Sequence, residues 1–332
     1  MRGKWTRTNT WLLTFLVGVG TVLISSGAHA HGDWDDRHDR HDRCGRLFST
    51  NNDQNKLVRL DDDGDIERRK AITGLAPGDR LVGIDFRPAG LGGLNQLYGL
   101  GLGGGTLGSA QLYTIDTRTA VATPVGVRFA TPPVGTLVGT SFGVDFNPTV
   151  DRIRVVSDVG QNFRLNPDTG AIAGTDTPLA YPATGDPNST RAPAVTAVAY
   201  TNPDNEPVAP ADTAANQTNT VLYDIDTNRA ADAGNLGGDV LAIQVPPNAG
   251  TLNTVGRIQF DSGLVTGFDI GPGNEALVLL QKNDNSSRLF RIDLLSGRVK
   301  GRGHRVRELL TGVAIELGPQ CVGDRHHYDD HD

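Results

Sequence analysis

Five short segments decide how this chain folds: LVGIDFRP (81–88), SFGVDFNP (141–148), VTAVAYTN (195–202), VTGFDI (265–270) and LTGVAIEL (310–317). Each is apolar, usually with a glycine and often with an aspartate. Their starts are 60, 54, 70 and 45 residues apart. Periods near 40–50 residues, with four strands per period, are those of propeller blades. If each segment is a strand A, a strand B follows at 95–101, 152–158, 221–227 and 275–281. A strand C follows at 111–116, 162–166, 240–245 and 288–293. These runs alternate, or nearly so, as half-buried strands do. The C strands end in turn clusters: DTRTA (116–120), NPDTG (166–170), PPNAG (246–250) and DLLSG (293–297). There Asp or Asn binds nearby backbone and Gly takes positive φ. Short D strands follow, as at 121–126 and 251–256.

The fifth A segment has nothing after it. The strands it lacks stand at the other end: B at 46–52, C at 56–61, the turn DDDGD (61–65) and D at 67–72. Joining the two ends makes a fifth blade. The sequence therefore predicts an all-β, five-bladed β-propeller of four-stranded antiparallel blades, closed by pairing of the C-terminal strand with the N-terminal blade. Closure hides two blade faces and a sheet edge.

Residues 1–30 read as a secretory signal peptide. Arg2, Lys4 and Arg7 precede an apolar run (11–24), and Ala28-His29-Ala30 is a small-x-small cleavage site. An uncleaved anchor is the alternative, although the run is shorter than the ~20 residues of a span. Without the leader's three positive charges the net charge falls from −7 to −10. That disfavours nucleic acid and is compatible with cationic ligands. The expected organisation is a leader (1–30), a His/Asp-rich tail (31–43), the propeller (44–321) and a second His/Asp-rich tail (322–332). The protein is expected to be secreted, periplasmic or extracellular, not membrane-spanning, and a monomer.

The two cysteines, Cys44 and Cys321, flank the repeats. In an exported chain they are expected to form a disulfide, standing in for the missing A–B hairpin of the closing blade. Two free thiols are the other reading.

LVGIDFRP, QLYTIDTRT, GTSFGVDFNPTVDRIRVVSDVGQNFRLNPDTGAI, AVAYTN, PPNAGTLNTVG and GFDI together resemble the bacterial family known as domain of unknown function 4394. The resemblance runs from about residue 56 to residue 317 and is most specific over 139–170. It implies a secreted or cell-surface propeller-like domain. It implies no activity, so no catalytic residue is carried over.

Two constellations could carry chemistry. Aligning the A segments places Asp85, Asp145, Ala199, Asp269 and Ala314 at one position. Strand A lines a propeller's channel, so the three carboxylates could hold Ca²⁺ or another hard cation. Equally, each could accept backbone N–H bonds between blades. The second is the tails: His31, His38, His41, His326, His327 and His331 among carboxylates suit Zn²⁺, Ni²⁺ or Cu²⁺. DDDGD has the wrong spacing for an EF-hand and reads as a hairpin turn. Longer loops at 90–109, 175–194 and 203–218 are candidate binding loops or, equally, neutral insertions.

Absences narrow the function further. Between the cysteines the single histidine is His304, read in a basic turn, and there is no GxSxG elbow. No nucleotide-binding glycine loop occurs. Trp5, Trp11 and Trp34 all precede the repeats. These features predict a non-enzymatic binding protein of unknown protein or small-molecule ligand, with no catalytic residues and no required cofactor. The alternative is a metal-dependent hydrolase, of lactonase or phosphoesterase type, with the cation on the channel aspartates.

Overall fold

Runs rich in Val, Ile, Leu, Phe and Tyr, punctuated by Gly, Asn and Asp, become twenty strands in the computed structural model of the chain. The structure describes residues 46–51, 55–61, 63–88, 95–103, 109–129, 137–203, 220–227, 239–259, 266–282 and 285–317. The leader, both tails, Cys44 and Cys321 lie outside the described residues.

The strands form five four-stranded antiparallel sheets. Blade I is β4 (Arg80–Phe86), β5 (Leu97–Leu102), β6 (Ala110–Ile115) and β7 (Ala122–Phe129). Blade II is β8 (Phe142–Asn147), β9 (Arg152–Ser157), β10 (Asn162–Leu165) and β11 (Ile172–Thr175). Blade III is β12 (Val195–Tyr200), β13 (Leu222–Asp226), β14 (Val240–Gln244) and β15 (Leu252–Arg257). Blade IV is β16 (Thr266–Ile270), β17 (Ala276–Lys282), β18 (Ser286–Ile292) and β19 (Val299–Val306). Blade V joins β20 (Thr311–Ile315) to β1 (Leu47–Asn51), β2 (Lys56–Leu60) and β3 (Ile66–Ala71).

Closure is as the two half-blades require. Leu47 lies opposite Ile315 and Phe48 opposite Ala314. The Ser49 and Thr50 hydroxyls donate to the Gly312 and Thr311 carbonyls at 2.6 and 2.8 Å, and the Glu316 N–H donates to the Arg46 carbonyl at 2.9 Å. The turns are built as their composition demands. Asp61, Asp116, Asn166 and Asp293 each accept two backbone N–H groups from the turn they open.

The five innermost strands, β4, β8, β12, β16 and β20, pack in that order, and β20 returns to β4. Glycine permits this approach. A Cβ on Gly143 would lie 2.8 Å from the Val198 nitrogen of the next blade, and one on Gly267 would lie 2.6 Å from the Gly312 carbonyl carbon. Apolar clusters fill the seams between blades. Edge-to-face aromatic pairs reinforce two of them: Tyr98–Phe146 (5.2 Å) at I–II and Phe48–Phe86 (5.7 Å) at V–I.

One expectation needs correction. His304 is not in a turn. It lies in β19 opposite Leu289, and its Nε2 is 3.1 Å from Asp65 of blade V. The two glycines flanking Arg302 take positive φ and make a bulge inside that strand, which is why the glycine-rich run reads as a turn. The stretch 175–194 is largely a strap across blades II and III. The Thr177 and Ala180 N–H groups donate to Asn248 and Gly250, Leu252 donates back to Ala180, and Asp186 accepts both the N–H and the hydroxyl of Thr254 at 2.7 Å. Of the stretch 90–109, the described part is mostly β5. Of 203–218, only Pro203 lies among the described residues.

Candidate metal centre on the propeller axis

Strands β4, β8 and β16 bring Asp85, Asp145 and Asp269 to one place, as the alignment of A segments requires. One carboxylate oxygen from each lies within 4.8 Å of the other two. All three side chains are buried, 4–6% exposed. They line a small pocket of about 10 Å³, room for roughly one water or ion. Its collar is apolar: Phe86, Phe146, Tyr200, Ile270 and Ile315 from the A strands, with Pro88, Pro203 and Leu317 just beyond them.

The carboxylates also stitch the ring. In every blade the residue after the aligned position directs its N–H to an aspartate. Asp85 accepts from Phe86 (2.7 Å) and from Phe146 of blade II (2.6 Å). Asp145 accepts from Tyr200 of blade III (2.9 Å). Asp269 accepts from Ile270 and from Ile315 of blade V, both at 2.6 Å. Asp145, Asp85 and Asp269 each reach the following blade. Blades III and V carry Ala199 and Ala314 at this position and reach no one. The two N–H groups this would orphan, Ile270 and Phe86, are taken by the aspartates that precede them in their own strands. Three side chains thus satisfy five blades.

Electrostatics at the axis is unfavourable without a counter-charge. Burial, then repulsion from the neighbouring aspartates, pushes the Asp85 and Asp145 carboxyls well above the usual range. Burial raises Asp269 to about 7, against the pull of its two N–H bonds.

Residues 56–314 match the family described as domain of unknown function (DUF4394). The chain belongs to the DUF4394 family. No curated protein matches it. Solved structures similar to this DUF4394 chain include a candidate 6-phosphogluconolactonase from Bacteroides uniformis (14% identity, 80% of this chain and 72% of that one, TM-score 0.36). Another is the PQQ-bound aldose sugar dehydrogenase from Streptomyces coelicolor (16%, 82% and 83%, TM-score 0.42). The Dos1 propeller is a third (10%, 81% and 64%, TM-score 0.39), so this chain spans slightly less than two thirds of that relative. At these identities and scores the likenesses carry no argument about activity.

The N–H bonds between blades follow the structural reading of the aligned aspartates, whereas the collar is the part of the site that sequence reading does not supply. A signal for the collar exists in hindsight, since Pro88 ends one A segment and Pro203 follows another. The six tail histidines and the two cysteines lie outside the described residues.

Proposed function

We propose that this protein is an exported, non-enzymatic binding propeller that holds a hard divalent cation, Ca²⁺ first, on Asp85, Asp145 and Asp269. The observation that carries the reading is the 4.8 Å grouping of three carboxylate oxygens beneath an open pocket. Two oxygens that share one Ca²⁺ at about 2.3–2.6 Å are at most about 5 Å apart, so the three fit one ion. A carboxylate oxygen that accepts one N–H keeps a lone pair for a metal. Ca²⁺ takes about 6–8 oxygens. Three aspartates leave positions facing the pocket, where oxygens of a small molecule or of a protein segment could complete the shell beside the apolar collar.

Export rests on the leader at 1–30, and the Cys44–Cys321 disulfide on the adjacency of the chain ends at Arg46 and Glu316. Transition-metal binding by the tail histidines is a separate proposal, resting on composition alone.

The test is isothermal calorimetry with Ca²⁺, Mn²⁺ and Zn²⁺ on three proteins: the mature chain, a form lacking 31–43 and 322–332, and Asp145→Asn. The proposal expects one Ca²⁺ per chain, retained without the tails and lost in Asp145→Asn. Binding that leaves with the tails, or none at all, overturns it. Turnover of a lactone or phosphoester panel that depends on Asp145 would replace it with the metal-dependent hydrolase.

A further inference from the structure

The seam between blades II and III buries a carboxyl group outside any hydrogen bond. Its apolar cluster, with Val156, Val198, Leu222 and Ala242, shares the interface with buried polar groups. From β9, Arg154, 1% exposed, donates to Asn162, Asp176, Asn248 and the Tyr200 hydroxyl. From β10, Arg164 also binds Asp176, so two guanidinium groups share one carboxylate. From blade III, Asp224 of β13 faces the same seam, because it alternates with Leu222. It is 0% exposed, and neither of its oxygens has a hydrogen-bond partner. Gln244 shares that face: Asp224 lies opposite Ala242, two residues from it. The Gln244 amide nitrogen donates to Pro247, while its oxygen is buried and also without a partner.

These are three acceptor oxygens with no donor between them. Diagonal neighbours across a strand pair come within reach of long side chains. A buried acceptor left unpaired costs about 1–3 kcal/mol, and an ionised one more. A proton on Asp224 supplies the missing donor and removes the unpaired charge together.

We propose that Asp224 is carried as a neutral carboxylic acid and that its ionisation loosens the blade II–III seam, making it a proton-keyed joint beneath the 176–194 strap. Burial is the dominant influence on Asp224 and raises its pKa. Arg154 opposes this and Asp226 on the same strand adds to it. One other raised carboxyl touches this seam: Asp145 of β8, which accepts the Tyr200 N–H at its axial end, whereas the phenols stay out of the range. Tyr181 of the strap donates to Asp226, and burial pushes the Tyr181 and Tyr200 phenols up, keeping them neutral. A carboxyl raised on folding gives stability that is complete below its unfolded value of about 3.9 and is lost as pH rises through its folded value. The joint therefore loosens on the alkaline side.

The experiment compares wild type with Asp224→Asn, and with Asp224→Leu in case the amide fails to fold. Amide-exchange protection is measured in β9, β12 and β13 from pH 6 to 9, together with infrared spectra of the carboxyl region. The wild type should lose protection at this seam by up to about tenfold per pH unit, the slope of one proton. The variants should hold it flat. At pH 6 the wild type should show one more neutral carboxyl than the variants, which keep those of the axial aspartates. Parallel protection profiles, or a wild type in which Asp224 is ionised throughout the range, overturn the proposal. Asp269→Asn, whose carboxyl bonds only blades IV and V, should leave this slope unchanged, which separates the joint from the axial site.

Discussion

On the axis, Asp85, Asp145 and Asp269 are 4–6% exposed and accept five backbone N–H groups. On the blade II–III seam Asp224 is 0% exposed and accepts none. Burial alone therefore does not distinguish the two sites. What differs is the company each carboxyl keeps. The axial groups face backbone donors and one another at the floor of an open pocket, an arrangement a cation would complete. Asp224 lies in a seam with no donor in hydrogen-bond contact, an arrangement a proton completes.

The comparison breaks first at the axis. Asp269→Ala leaves the N–H groups of both Ile270 and Ile315 without their acceptor, at about 1–3 kcal/mol each. Asp145→Ala orphans only Tyr200, so its cost should be about half. Urea unfolding measures both. Equal losses would show that the carboxylates do not stitch the ring one N–H at a time.

Next in size is pH. The folded Asp269 carboxyl, at about 7, lies above its unfolded value, so folding takes up a proton. Without a cation, the Asp269 contribution should fall by up to about 1.4 kcal/mol per unit between about pH 4 and pH 7, and the raised Asp85 and Asp145 steepen the total. Saturating Ca²⁺ should reverse the sign, because protons then compete with the ion. Thermal melts across pH, with and without Ca²⁺, read this directly. An unchanged slope in Ca²⁺ would count against an axial cation.

At fixed neutral pH, Ca²⁺ at a hundredfold its Kd should add about 2.7 kcal/mol. Calorimetric scans of wild type and Asp145→Asn measure it, with no shift expected in the variant. The smallest effect belongs to His304→Ala. The His304–Asp65 contact is 33% and 74% exposed and should be worth under about 1 kcal/mol in urea unfolding. A larger loss would mean that the blade IV–V seam depends on a surface pair more than its exposure suggests.

Much of this was legible in the residues. A recurring A segment and two complementary half-blades are local patterns, and they led to the five sheets and to β20 beside β1. The shared column of Asp85, Asp145 and Asp269 was legible for the same reason: equivalent positions in a closed ring meet at its axis. His304 was misplaced because glycines inside a bulged edge strand carry the composition of a turn. The stretch 175–194 reads as a free loop because Gly, Pro, Asn and Thr fill it. Its partners, Asn248, Gly250 and Thr254, come from another blade, and no local pattern announces them. Asp224 gave no signal at all. A polar residue in a half-buried strand reads as solvent-facing unless the neighbouring blade is known.

By itself, then, the sequence determined the number of blades, their closure and which side chains approach the axis, because each follows from periodicity and from the chain's two incomplete ends. Only the tertiary structure decided that three aspartates serve five backbone N–H groups and that an apolar collar stands above them. It also decided that one seam buries an acid with no donor in hydrogen-bond contact. The three axial bonds between blades join residues 46 to 61 positions apart, and hydrogen bonding and desolvation act over a few ångströms of space whatever the separation along the chain.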